Sequence, residues 1–258
     1  MHLSQLEIIL WAFGTALKLL LCILAFHRHL YRRLPFFFVY VNLLVAEVAV
    51  VWSVYRLAGY VSRLAWFTYW SSVGVLLLAR GLVVAELCWT SLRNYPAIWI
   101  LVRNLLLFIA IVVLAWAGVA AFQKRSFLAA FILTAERGLE ISILIILVAM
   151  LGFSLRYDVE LPLLERNIVL GLGVYSAFQV VNDSFVSQWV TPHFHWWNSA
   201  RVIAFDAALL FWIAALSKPA LPREPPVLLN GGDARLVRGR LLARMREVTE
   251  DLKKFRRK

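Results

Sequence analysis

Nine ionisable side chains stand within stretches that are otherwise almost wholly apolar: Glu47, Arg80, Glu86, Glu136, Arg137, Glu140, Asp183, Arg201 and Asp206. A charge at the centre of a hydrocarbon layer costs at least ~2.5–3.5 kcal/mol on insertion scales. Charges held there need partners. Acids and bases converging from several helices can enclose a small polar ligand, pass an ion or proton, or act as a satisfied network that fixes helix packing. The ligand-pocket or ion-path reading is the sharper one, and the packing network is its plain alternative. Glu47 lies about 16 Å into its stretch at 1.5 Å per residue, and Arg80 lies equally deep from the other side. The simplest neutralisation is a Glu47–Arg80 ion pair. Glu136 and Glu140 share a helix face, and Arg137 reaches Glu140 at i+3. Arg201 stands above Asp206. Lys18 is close enough to one end of its stretch to snorkel out.

The elements that must position these groups are seven apolar runs: Leu6–Phe26, Phe36–Tyr55, Tyr69–Thr90, Ile98–Phe122, Phe127–Leu155, Asn167–Val186 and Ala200–Ser217. A span needs roughly 20 apolar residues, and 62% of this 258-residue chain is hydrophobic, too much for one small aqueous core. The runs are continuous rather than alternating. In lipid, backbone groups must pair within their own segment, so the runs are helices rather than barrel strands. The expected fold is all-α: a polytopic membrane protein with a seven-transmembrane-helix bundle over residues 1–217. The first run is too long, and its flank too poor in basic residues, for a cleaved signal, so this helix is expected to be retained.

Lys and Arg set the orientation. Arg28, Arg32 and Arg33 fall in the first loop, Arg93 in the third, and Arg156 and Arg166 in the fifth; the segment after Ser217 holds 12 more. The expected topology has the N-terminus outside and the C-terminus in the cytoplasm, in the cell (inner) membrane. Trp66, Trp70, Trp189, Trp196 and Trp197 fall at the outer interface, and Trp89 and Trp99 at the inner one. Much of the net charge of +12 sits beyond Ser217, so it reads as attraction to a lipid surface and not as a nucleic-acid footprint.

Residues 218–232 carry Pro219, Pro222, Pro225 and Pro226 before Gly231-Gly232, a linker composition. Residues 233–258 then place Val237, Leu241, Met245, Val248, Leu252 and Phe255 at steps of three and four among many cations. This is an amphipathic basic helix. Arg238, Leu241, Arg244, Met245, Val248 and Leu252 are its expected contacts with lipid or a protein partner. A short dimeric zipper and a solvated tail are the other readings.

Other motifs carry less. His193 and His195 could bind a metal only with a third ligand such as Asp183, and a metal site is not expected. Cys22 and Cys88 fit as small packed residues. Gly171-Leu172-Gly173 reads as close helix packing. No nucleophile–base arrangement or phosphate loop appears, and nothing specifies a cofactor. The seventh run has no interior lysine for a rhodopsin-type Schiff base.

Arg33-Leu34-Pro35-Phe36-Phe37-Phe38-Val39-Tyr40, Tyr69-Trp70 with Glu86, and Glu136-Arg137 together resemble a family of bacterial, acidobacterial-type seven-span proteins with no assigned activity. The resemblance covers roughly residues 30–185 and carries over no site residues. The leading functional expectation is a receptor-like or sensory membrane protein with a buried polar pocket for a small ligand. The alternatives are a transporter or proton-coupled carrier, and a non-catalytic subunit or assembly factor of a larger membrane complex. An integral membrane enzyme has the weakest support.

Overall fold

The computed structural model describes residues 5–92, 96–122, 124, 126–157, 162–189 and 194–217. They form seven helices: α1 (Gln5–His27), α2 (Pro35–Ala58), α3 (Arg63–Leu92), α4 (Pro96–Phe122), α5 (Phe127–Tyr157), α6 (Leu163–Trp189) and α7 (Phe194–Ser217). No strand occurs among the described residues, so the chain is an all-α helical bundle. The linker and the basic helix expected over residues 218–258, with Arg238, Leu241, Arg244, Met245, Val248 and Leu252, lie outside the described residues.

Local chemistry sets the helix ends. α2 begins on Pro35, whose missing N–H is no loss in a first turn. It stops at Gly59, where φ is 79° and the Gly59 N–H donates to Tyr55 O at 3.1 Å. A left-handed φ of this kind favours glycine. Ser62 then caps α3, its Oγ accepting from the Ala65 N–H at 3.0 Å. Pro96 opens α4 in the same manner as Pro35.

Among the described residues, five helical stretches are long and apolar enough to cross a membrane: Ile9–His27, Pro35–Ala58, Arg63–Leu92, Trp99–Phe122 and Ala200–Ser217. The protein is therefore read as a membrane protein. α5 and α6 are long enough too, at 31 and 27 residues, but α5 gathers Glu136, Arg137 and Glu140 within five residues and α6 is more polar. Their polarity is turned inward: Glu136 and Glu140 of α5, and Glu165, Ser176, Gln179 and Asn182 of α6, are all buried.

Six helices pack in a ring, in the order α1–α2–α3–α5–α6–α7 and back to α1, while α4 lies outside against α3 and α5. The central core joins Leu21, Phe37, Tyr40, Leu87, Leu172 and Trp212, among others. Trp212 meets Phe37 edge-on at 5.4 Å between centroids and donates from Nε1 to Ile168 O at 3.3 Å. α4 leaves Leu101, Phe108, Ile111 and Trp116 exposed, as befits a helix facing lipid.

One end of the bundle gathers the basic first loop. Arg28 Nη2 donates to Ser217 O at 3.2 Å. Arg33 Nη2 donates to both Glu165 carboxylate oxygens, at 3.1 and 3.2 Å. At the same end Glu86 receives the Phe36 and Phe37 N–H groups, each at 2.9 Å. The α2–α3 turn lies at the other end of α2.

Candidate functional site

α1, α2, α3, α5, α6 and α7 enclose a cavity of about 990 Å³, at the upper end of the usual range for small-molecule sites. Lys18, Glu47, Arg80, Glu136, Arg201 and Asp206 all line it. Aromatic side chains supply much of the rest: Trp11, Trp52, Tyr55, Tyr69, Tyr175 and Phe205. Tyr60 and Arg56 also line it, so the cavity reaches the α2–α3 turn, where Tyr60 is exposed.

Helix register explains why these groups meet. Charges on an interior helix must face the bundle or forfeit both water and partners. Lys18, Glu47 and Asp206 fall near the middle of α1, α2 and α7. On α6, Tyr175, Ser176, Gln179 and Asn182 follow steps of one, three and three, one polar stripe at helical period, and all four are buried.

The ion pairs differ from those expected. Glu47 does not meet Arg80. Glu47 Oε2 lies 3.9 Å from Lys18 Nζ, and Arg80 pairs with Glu140. Distance along a span says nothing about which helices are neighbours: α3 packs on α5 as well as on α2. Lys18 does not snorkel to the helix end either. Its ammonium turns into the cavity, 5.5 Å from the Phe205 ring centroid, because carboxylates wait there. Arg201 does not settle on Asp206, five residues further along α7. Its Nη2 donates to Glu136 Oε1 at 3.2 Å.

Around this last pair the α6 stripe adds a polar layer. Gln179 Nε2 lies 3.4 Å from the same Glu136 oxygen. With the amide turned over, its oxygen accepts from Arg201 Nη2 and Nε at 3.2 Å and from the Tyr175 hydroxyl at 3.3 Å. The Tyr175 ring also covers Arg80, 4.7 Å from the guanidinium carbon, a cation–π contact.

Asp206 is 5% exposed, and its Oδ2 has no hydrogen-bond partner among the described residues. Its other oxygen occupies the space left by Gly14: a Cβ there would stand 2.7 Å from Asp206 Oδ1. The closeness of α1 to α7 at this level thus depends on that glycine.

Two expected members belong elsewhere. Glu86 is not part of the cavity lining; it caps α2 from a neighbouring helix, because the cap residue Leu34 has no side-chain acceptor. Arg137 is exposed on α5, next to the buried Glu136 and Glu140, and does not line the cavity. The Asp183 side chain lies outside the described residues, as do those of His193 and His195. No cluster of three potential metal ligands occurs among the described residues.

The linear chain does not single out every participant. It gives no sign that Lys18 turns inward, and Tyr175 and Gln179 are neutral residues that do not stand out there. Their three- and four-residue spacing with Asn182 was the available signal. Against known protein families, curated proteins and solved structures, the chain has no match.

Proposed function

We propose that this is a receptor-like or sensory protein of the cell (inner) membrane, with seven spans and its N-terminus outside, that binds a small ligand in the six-helix cavity. One observation carries the reading: a cavity of about 990 Å³ with acids, bases and ring faces converging on it from six helices. A network that served packing alone would close on itself and leave little room. Here the Lys18–Glu47 and Arg201–Glu136 pairs border open volume.

The test is a thermal-unfolding screen of the full chain in lipid nanodiscs against a panel of metabolites and amphiphiles. A ligand at 100 times its Kd adds about 2.7 kcal/mol of apparent stability. The expected result is a hit whose stabilisation is lost or sharply reduced in at least one of Glu47→Gln, Glu136→Gln and Asp206→Asn. A panel that never raises the midpoint, or a hit that none of the three variants affects, would count against a ligand site here.

A further inference from the structure

Beside the main cavity, a groove of about 260 Å³ separates the middle of α1 from the middle of α2. Trp11, Thr15, Lys18, Val48 and Trp52 line both spaces, so the groove and the cavity lie side by side with only these side chains between them. The remaining groove wall is apolar: Leu19, Val45 and Ala49. Trp11, Leu19 and Trp52 are about half exposed on the outside of the bundle. The groove lies between residues 11–19 of one spanning helix and 45–52 of the next, well away from both helix ends. In a bilayer it opens onto acyl chains.

The charges just inside this opening are not balanced like those opposite. Arg80 pairs with Glu140 and Arg201 with Glu136, with Arg201 also in electrostatic reach of Glu47; Asp206 has neither arginine as an ion-pair partner. At the α1–α2–α7 side, one ammonium faces two acids. Lys18 is 3.9 Å from Glu47 and within electrostatic reach of Asp206, whose Oδ2 is buried without a hydrogen-bond partner among the described residues. The flanking rings already receive cations: Lys18 stands over Phe205 at 5.5 Å, and Arg56 over Trp52 at 5.2 Å. A buried acceptor among ring faces suits a second cation with N–H donors.

We infer that the cavity admits its ligand sideways from the bilayer between α1 and α2, and that the ligand is a lipophilic amine whose ammonium group binds Asp206. This rests on the ligand-binding reading of the same cavity and adds chemical class and route. The apolar body would lie along the groove between Trp11 and Trp52, and the head would reach past Lys18 to the Asp206 oxygen. Glu47 serves as the second anion that keeps Lys18 neutralised when the amine arrives. No covalent step is involved.

The test uses the full chain in nanodiscs and three photoreactive probes with one long alkyl chain carrying a diazirine, ending in an amine, a carboxylic acid or an alcohol. Crosslinked peptides are mapped by mass spectrometry. The amine should label α1 and α2 around the groove and be competed by unlabelled alkylamine. Asp206→Asn should lower that labelling by about tenfold or more, as expected for one lost charge-assisted hydrogen bond. Ala49→Trp, which fills the groove from its exposed side, should slow labelling by amine delivered in the bilayer. Unfolding midpoints report whether either variant has lost its fold; Gly14→Ala, which crowds Asp206 without removing charge, gives a second route to the same loss.

Preferential cavity labelling by the acid or the alcohol, untouched by Asp206→Asn, would overturn the amine assignment and leave the ligand site standing. Labelling speed unchanged by Ala49→Trp would overturn the lateral route. Failure of all three probes to label the cavity, combined with a silent thermal screen, would sink both this inference and the reading beneath it.

Discussion

Arg80 and Glu140 form the most deeply buried ion pair among the described residues, 7% and 0% exposed in their side chains. Removing one member of such a pair strands the other, which typically costs about 3–5 kcal/mol. Arg80→Gln and Glu140→Gln are each expected to lower the unfolding midpoint by roughly 10 °C, at about 2–4 °C per kcal/mol for a chain of this size. The double variant Arg80→Met/Glu140→Leu should recover most of that loss, because two apolar groups leave no orphan charge. A double variant as unstable as the sum of the singles would mean that the two residues act independently. The types of these residues are legible in the chain. Their pairing is not: Glu47 is the acid that distance along the spans offers Arg80, and a one-dimensional pattern cannot say which helix stands beside which.

Glu86 shows how one helix completes another. Two carboxylate oxygens on α3 satisfy two orphan N–H groups at the start of α2. Glu86→Ala should cost about 1–2 kcal/mol, as lost caps do. It should also speed hydrogen exchange at Phe36 and Phe37 while leaving the middle of α2 protected; unchanged exchange at those two amides would refute the capping role. In the linear chain Glu86 reads as one more interior charge, because nothing local shows that it stands beside the first turn of α2. The glycine pair in α6 offers a sharper contrast. A Cβ at Gly171 would stand 2.4 Å from Trp212 Nε1, whereas one at Gly173 would meet only Leu147 Cδ1 at 3.9 Å. Gly171→Ala is therefore expected to push α6 from α7 and break the Trp212–Ile168 hydrogen bond, lowering the unfolding midpoint by several degrees. Gly173→Ala should be neutral or slightly stabilising, since alanine loses less backbone freedom than glycine in a helix. Close packing was the expectation for both glycines; the difference between them comes from Trp212, far away in the chain.

For the bundle as a whole, the distribution of basic residues argues for one orientation. Tyr60, exposed in the α2–α3 turn, and Tyr31, exposed in the first loop, mark opposite ends. In a Cys22→Ser/Cys88→Ser background, cysteine placed at residue 60 should react with a membrane-impermeant maleimide on intact cells. Cysteine at residue 31 should react only after permeabilisation, and the reverse pattern would invert the topology. The ring with α4 outside it accounts for why α4 is apolar on nearly every side, while α5 and α6 can carry buried polar groups.

Helix number and helix type follow from composition and run length, because a backbone in hydrocarbon has few ways to pair its own N–H and C=O groups. Those constraints are local, so a linear chain displays them. The ring order, the exchange of partners among Lys18, Glu47, Arg80 and Glu140, the capping of α2 by Glu86 and the space around Asp206 all depend on which helix faces bring distant residues together. That choice comes from the fit of side chains such as Trp212 against Gly171, a matter of shape between segments that no single segment encodes.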